Sequence, residues 1–396
     1  MKAINAVTAA THPAPYAYYA SLVAGPPLIF DESLGLWVAA SASAVTAVFQ
    51  HPHCLVRPAR EQVPHALAGL PVGEIFSHLV RMNDGEKHAR PKIALRHALA
   101  RLAPAQIDAC TRNAILALSA TYDFRSADTL SSVAHSLPIY VVAGLLGFDE
   151  AALPEIDAWM AAFVASLSPL STGEQTACGS EAAQALLERF AVLATQEGGR
   201  QDSLIGLVQQ EARIAGWHGA AAVVANLIGL MSQTYDATAG LIGNSIVALL
   251  TQPGLEESVR RDPMLATAVV EEVSRFDPPV QNTRRFVVES TSIGGADLAT
   301  GDAILLLLAA ASRDPQANSQ PDEFLLDRMD RRVFAFGHGV HVCPGQALAS
   351  SIAVAAINAL LESNTVLRER DMRWCYRPSL NGRVPVFSAD PPKESS

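Results

Sequence analysis

One cysteine, Cys343, stands among three glycines and two histidines in Phe334-Ala335-Phe336-Gly337-His338-Gly339-Val340-His341-Val342-Cys343-Pro344-Gly345, just before an apolar helical run. Glycine lets a backbone turn tightly and approach a flat ligand closely. A helix that begins after Cys343 aims its first N–H groups and its positive dipole end at the sulfur, which favours the thiolate. A thiolate held on a rigid glycine-rich loop can act as an axial ligand of haem iron. A lone cysteine in such a loop would read as a free thiol beside a helix cap. Here the spacing Phe336-Gly337-x-Gly339-x-His341-x-Cys343-x-Gly345 must be explained too, with six positions inside ten residues. A second pattern is Glu272-Val273-Ser274-Arg275 at the end of a helical run. Residues three apart share a helix face and can pair, although on most helices such a pair is solvated and contributes little.

The cysteine spacing resembles the ligand loop of the haem-thiolate monooxygenases, the cytochrome P-450 superfamily. That resemblance implies haem b (iron protoporphyrin IX) with Cys343 on the iron and with Phe336, Gly337 and Gly345 lining the loop beside the ring. Glu272 and Arg275 are similar to the family's Glu-x-x-Arg pair, and Arg328, in Pro321-Asp322-Glu323-Phe324-Leu325-Leu326-Asp327-Arg328, matches its third, structural member. His341 and Arg285 match propionate-binding positions. Asp84-Gly85-Glu86-Lys87-His88 resembles the family's Asp-Pro-Pro-Glu-His stretch at Asp84 and His88 only. His88 and the residue four further on then point the same way, and that residue is Lys92 where arginine is usual. Lysine keeps the charge and loses the bidentate geometry. Pro91 beside it is best tolerated near a helix start.

A long helical run, Trp217 to Leu250, is by the same resemblance the helix over the open haem face; by composition alone it is a core helix. Asp236 falls at the family's acidic position. The next residue is Ala237 where a threonine is usual, and Gln233 and Thr234 occupy places that usually hold small residues. Gln233, Thr234 and Ala237 share one helix face, so an amide or hydroxyl can re-enter the site from the preceding turn. The implied substrate pocket draws on Phe76, Leu79, Val80, Phe163, Gln281, Asn282, Leu380 and Asn381, a mixture fitting an apolar ligand with polar groups. The implied function is monooxygenation of a small or medium-sized organic molecule with O2. Ala237 keeps open a haem-thiolate enzyme of peroxide, nitric oxide or dehydration chemistry, and a non-catalytic haem sensor is a further alternative, against which Asp236 counts weakly. The chain has no Gly-x-Gly-x-x-Gly fingerprint, so electrons are expected from separate partners, a ferredoxin and its reductase. Arg90, Arg96, Arg101, Arg331, Arg332 and His338 are expected to form a local basic docking patch.

The elements that must position these groups are mostly helical. Alanine is abundant and apolar positions recur at three and four. Helices are expected over Pro104–Ser119, Ser126–Leu146, Leu153–Ser166, Gly179–Glu197, Trp217–Leu250, Asp262–Arg275 and Gly345–Ser363, and a helix is also expected near Tyr16–Leu22. Strands are expected as a hairpin within Pro26–Ser41, at Thr283–Ser290 and Ala303–Leu308, and around Asn381-Gly382. The expected fold is one mainly α domain over residues 1–396 with a small β region, the α-rich triangular prism of the cytochrome P-450 fold. The chain is 49% apolar with a formal charge of −10. That charge offers no broad basic field for nucleic acid. No continuous apolar run reaches the roughly 18 residues of a membrane span, and five scattered cysteines show no zinc spacing. A cytoplasmic monomer with reduced thiols is the expectation.

Overall fold

The structure, a computed structural model, describes residues 4–124, 126–195, 202–362 and 372–389. It opens with α1 (Tyr16–Val23), the hairpin β1 (Leu28–Asp31) and β2 (Leu36–Ala39), then α2 (Ala42–Gln50), β3 (Cys54–Leu55), α3 (Pro71–His78) and α4 (Glu86–Ala100). A run of helices follows: α5 (Pro104–Ser119), α6 (Ala127–Leu146), α7 (Leu153–Ser166), α8 (Gly173–Thr195), α9 (Leu204–Ile214) and α10 (Ala220–Thr251). Next come α11 (Leu255–Arg261), α12 (Leu265–Phe276), β4 (Asn282–Val287), β5 (Thr291–Ile293), β6 (Ala296–Leu298), β7 (Ala303–Leu307) and α13 (Leu308–Ser312). The cysteine loop, α14 (Gln346–Glu362) and the strands β8 (Arg373–Tyr376) and β9 (Pro385–Ser388) complete the described chain.

Local signals explain most of the shifted boundaries. The long helix begins at Ala220 and not at Trp217, because Gly216 and Gly219 take φ of +63° and +110°, which a right-handed helix cannot contain. Helix α8 begins at Gly173, ahead of the expected Gly179. There Thr172 Oγ1 accepts from Gln175 N at 3.2 Å and Gln175 Oε1 accepts from Thr172 N at 2.9 Å, a reciprocal cap written in Thr172-Gly-Glu-Gln175. The expected ends at Glu197 and Ser363 lie outside the described residues. Pro91 falls in the second turn of α4 and not in its first. The hairpin β5–β6 was not expected, although Gly294 and Gly295 at its turn, with φ of +58° and +84°, are a hairpin signal.

The sheet is assembled from both ends of the chain, in the order β1-β2-β7-β4-β3. Strand β2 pairs parallel with β7, Val38 opposite Leu305, and β7 pairs antiparallel with β4, Arg285 opposite Ile304. The register puts Arg285 in the sheet interior, 5% exposed, with its guanidinium 4.9 Å from the Phe49 ring. Helix α6 is long and apolar enough to cross a membrane, which the absence of a continuous apolar run had not indicated; 67% of that window is buried inside the protein, as befits a core helix.

Helix α10 is the hub. It packs against α3, α6, α7, α8, α12 and α14, and its residues 224–229 and 238–249 are buried without interruption. Between them residues 233–237 keep partial exposure although they sit mid-helix in the core. That pattern marks an internal opening. Close approach of the C-terminal segment depends on Gly240: a Cβ there would lie 2.6 Å from Pro279 Cβ and 3.2 Å from the Arg383 carbonyl. Gly240→Ala should therefore destabilise the fold by about 1–3 kcal/mol, the usual cost of overpacking. The check is the denaturation midpoint in urea, which should fall with little change in slope.

Candidate functional site

Glu272 and Arg275 are not a solvated pair, since both are 0% exposed. Arg275 Nη2 donates to Glu272 Oε1 at 2.6 Å, and Arg328 Nε donates to the same oxygen at 3.3 Å. Arg331 Nε donates to Oε2 at 2.9 Å. Arg331 was expected in a docking patch; the structure corrects this, for its guanidinium is drawn inward by Glu272 and bridges to Glu271 at 2.7 Å. The remaining donors hold the segment before the cysteine loop. Arg275 binds the Pro321 and Glu323 carbonyls at 2.8 and 2.9 Å, and Arg328 binds the carbonyls of Ser319, Gln320 and Glu323. Burial acts to raise the Glu272 carboxyl, but the bonds from Arg275 and Arg331 outweigh it and hold its pKa below the usual value. Burial lowers Arg275, against the pull of Glu272.

The loop behind this cluster is anchored by Phe334 N, which donates to Ser312 Oγ at 3.1 Å. Gly337 and Gly339 take φ of +75° and +69°, and Cys343 N closes the turn on the Phe336 carbonyl at 2.7 Å. The Gly345 and Gln346 N–H groups donate to the sulfur. A Cβ on Gly345 would come within 3.9 Å of Sγ. Burial raises the Cys343 thiol above its usual pKa and outweighs the two N–H groups and Lys92, which act to lower it.

Beside the sulfur lies a cationic cluster. Lys92 Nζ donates to the Val342 carbonyl. The His88 and His341 rings are 4.1 Å apart. His341 Nε2 is 3.0 Å from Asp84 Oδ1, whose other oxygen accepts from Val56 N at 3.0 Å. His88 is buried and its Nε2 has no hydrogen-bond partner. Burial, then His341 and Lys92, pushes its pKa down to about 4. Burial lowers Arg285, which Asp84 partly offsets. One carboxylate, Asp84, thus acts on His341, His88 and Arg285.

On α10, Thr234 Oγ1 donates to the Leu230 carbonyl at 2.7 Å, and Gln233 Nε2 donates to the Gly229 carbonyl at 2.8 Å. Asp236 Oδ1 accepts from Arg377 Nη2 at 2.6 Å and lies 3.7 Å from His135 Nε2. The sequence had not pointed to Arg377 or His135, because they come from a C-terminal strand end and from α6. Burial lowers the His135 pKa, with the Ser131 carbonyl opposing. Of the expected pocket residues, Phe76, Leu79 and Val80 flank α10 through α3. Phe163 is fully buried in the core. Gln281 is taken up by protein partners, Tyr19 at 3.1 Å and the Pro278 carbonyl at 2.7 Å, so it does not offer a ligand its amide. Asn282 donates to the Leu380 carbonyl at 2.9 Å, and Asn381 is exposed. In the expected docking patch, Arg101 pairs with Glu211 at 2.8 Å and Arg90 with Glu86 at 2.9 Å. His338 meets Gln50 at 3.1 Å, while Arg96 and Arg332 are exposed.

Replacing Glu272 with glutamine leaves three guanidinium groups around a neutral amide. The expected cost is about 3–5 kcal/mol, as for other broken buried pairs. Because the folded pKa is depressed, the wild type has this contribution in full above the ordinary glutamate value of 4.5 and loses it as pH falls through the lower folded value. Stability measured against pH should show that acid limb in the wild type and a shallower one in Glu272→Gln.

Comparison with known proteins gives one family. The profile described as Cytochrome P450 matches residues 221–378. The biotin biosynthesis cytochrome P450 of Bacillus subtilis (strain 168) is 30% identical over 259 residues, 65% of this chain and 65% of that one. The cytochrome P450 monooxygenase PikC of Streptomyces venezuelae is 34% identical over 241 residues, 60% of this chain and 56% of that one. The matched stretch therefore spans just under two thirds of the first of these relatives and just over half of the second. The crystal structure of ligand-free CYP164A2 from Mycobacterium smegmatis superposes with a TM-score of 0.72 at 27% identity, over 95% of this chain and 96% of that one.

Proposed function

We propose that the chain, which is similar to cytochromes P450 in sequence and shares their fold, is a haem-thiolate monooxygenase of a small or medium-sized organic substrate. The observation that carries the reading is the Cys343 loop. Its sulfur receives two backbone N–H groups while burial raises its pKa, and iron in haem b would favour the thiolate there. His88, Arg285 and His341 share one carboxylate, Lys92 has only the Val342 carbonyl, and His88 Nε2 is unpaired; two propionates would supply acceptors. Residues 233–237 keep open surface inside the core, where a flat group could lie. Bound haem supplies the iron centre that activates dioxygen for insertion into a C–H bond or heteroatom.

The chain's own part is binding, orientation, exclusion of water and proton supply. Ala237 has no side-chain donor. The Thr234 hydroxyl proton is committed to the Leu230 carbonyl, so its oxygen can accept but has no proton to give. Asp236 is the carboxyl group on this stretch; it is hydrogen-bonded to Arg377 and lies 3.7 Å from His135 Nε2. We assign Asp236 to proton supply into the pocket. Electrons come from a separate ferredoxin and its reductase, which Arg96 and Arg332 are left to receive. The protein works as a cytoplasmic monomer without nucleic acid or membrane. Ala237 favours the second reading, haem-thiolate chemistry with peroxide, nitric oxide or dehydration; consumption of O2 under reductant separates the two.

The reduced carbon monoxide complex should show the long-wavelength band of thiolate ligation, and Cys343→Ser should remove it; a retained band would sink the ligand assignment. Asp236→Asn should slow turnover by about 100- to 10,000-fold, the range for a positioned acid or base. Unchanged steady-state turnover with tight coupling to product would take Asp236 out of proton supply.

A further inference from the structure

Arg81 is the basic residue that the site described above does not use. It lies in the single 3-10 turn Val80–Met82 between α3 and α4. The residue is partly buried and keeps accessible surface beside the stretch of α10 that it adjoins. Its Nε is buried with no hydrogen-bond partner, and among the described residues neither an ion pair nor a hydrogen bond reaches its guanidinium. Guanidinium carries five donors and stays charged, and leaving such a group buried and unpaired is costly.

The location is defined by the neighbours. Val80 N donates to Asn226 Oδ1 on α10 at 2.8 Å. Leu79 is packed so close to α10 that a Cβ on Gly229 would lie 2.6 Å from Leu79 Cδ2. Gly229 is one turn before Gln233, which binds its carbonyl. The turn bearing Arg81 is thus clamped to α10 next to the open stretch 233–237. Arg81 is also separate from the cationic cluster near Cys343. Burial alone lowers its pKa, to about 10, and it is not among the charges that act on Lys92 or Arg285. Arg57, which stacks 5.4 Å from the Phe76 ring, is already engaged by the Glu61 carbonyl at 2.8 Å. Arg81, by contrast, is left with unused donors among the described residues.

We propose, resting on the monooxygenase reading, that Arg81 anchors an acidic substrate: an organic carboxylate whose charged end pairs with this guanidinium while its apolar body lies along the Phe76–Val80 segment. A carboxylate matches the planar fork of arginine and accepts two parallel hydrogen bonds. The propionates of the cofactor carry the same chemistry, and the test must separate them from a substrate.

The experiment uses ferric holoprotein and organic acids of increasing size, from benzoate to dodecanoate, each paired with its primary amide. Binding is read from the spin-state shift of the haem spectrum. At least one acid should bind about tenfold or more tighter than its amide, as expected for a charged hydrogen-bonded pair. Arg81→Met should erase that preference, and Arg81→Lys should keep part of it. In ligand-free protein Arg81→Met should raise Tm by ~2–4 °C, because it removes an unpaired buried charge. No acid outbinding its amide in the wild type, or an acid preference that survives Arg81→Met, overturns the proposal. Faster haem loss from Arg81→Met with the acid preference unaltered would assign Arg81 to the propionates and also overturn it. Failure of the monooxygenase reading shows separately, as a wild-type protein without the thiolate carbon monoxide band.

Discussion

Glu272 has no contact with solvent, and three guanidinium groups converge on its two oxygens. Each brings a charge that burial makes expensive and a set of donors that one carboxylate cannot saturate. The surplus donors turn to backbone carbonyls between Ser319 and Leu326. An irregular stretch that belongs to no helix or strand is thereby held from the side by charge. The cysteine loop begins eight residues beyond it, so the position of Cys343 depends on an electrostatic knot that contains no part of the loop.

Helix α10 is the second constraint. Its small residues let Pro279, Val384 and Pro385 sit against it, which brings the C-terminal strands to the same face that Leu79 reaches from the other end. A helix packed this tightly along most of its length can leave an opening only where neighbouring elements stand off. That occurs at 233–237. Asp236 lies on this stretch, and the turn that bears Arg81 is clamped to α10 one turn before it. The charge distribution is uneven: acid and base are paired at Asp236, whereas Arg81 has no counter-charge among the described residues.

Burial decides the chemistry of the sulfur as well. Two backbone N–H groups and a nearby ammonium are the usual means of lowering a thiol pKa, yet desolvation prevails at Cys343. The same desolvation keeps His88 neutral. Burial of this depth makes each added charge strongly felt, because the local dielectric is low.

The resemblance to the cytochromes P450 and the helical class were legible in the sequence, since both are local. The Phe336 to Gly345 spacing fits within one loop, and apolar repeats at three and four residues report helices directly. Caps such as Thr172 with Gln175, and the Gly294-Gly295 turn, were equally local and could have been found. Glu272 and Arg275 could be paired on paper because a helix fixes their spacing. Whether that pair was solvated or buried could not, because exposure depends on what the chain packs there 50 residues later, as Leu325 N shows by donating to Glu272 at 3.1 Å. The tertiary structure alone decided that Arg331 turns inward, that β2 runs parallel beside β7, that Arg377 meets Asp236 and that Arg81 meets no anion. Those are meetings of distant segments, and a residue's type says which bonds it can make but not which partners the fold brings within reach.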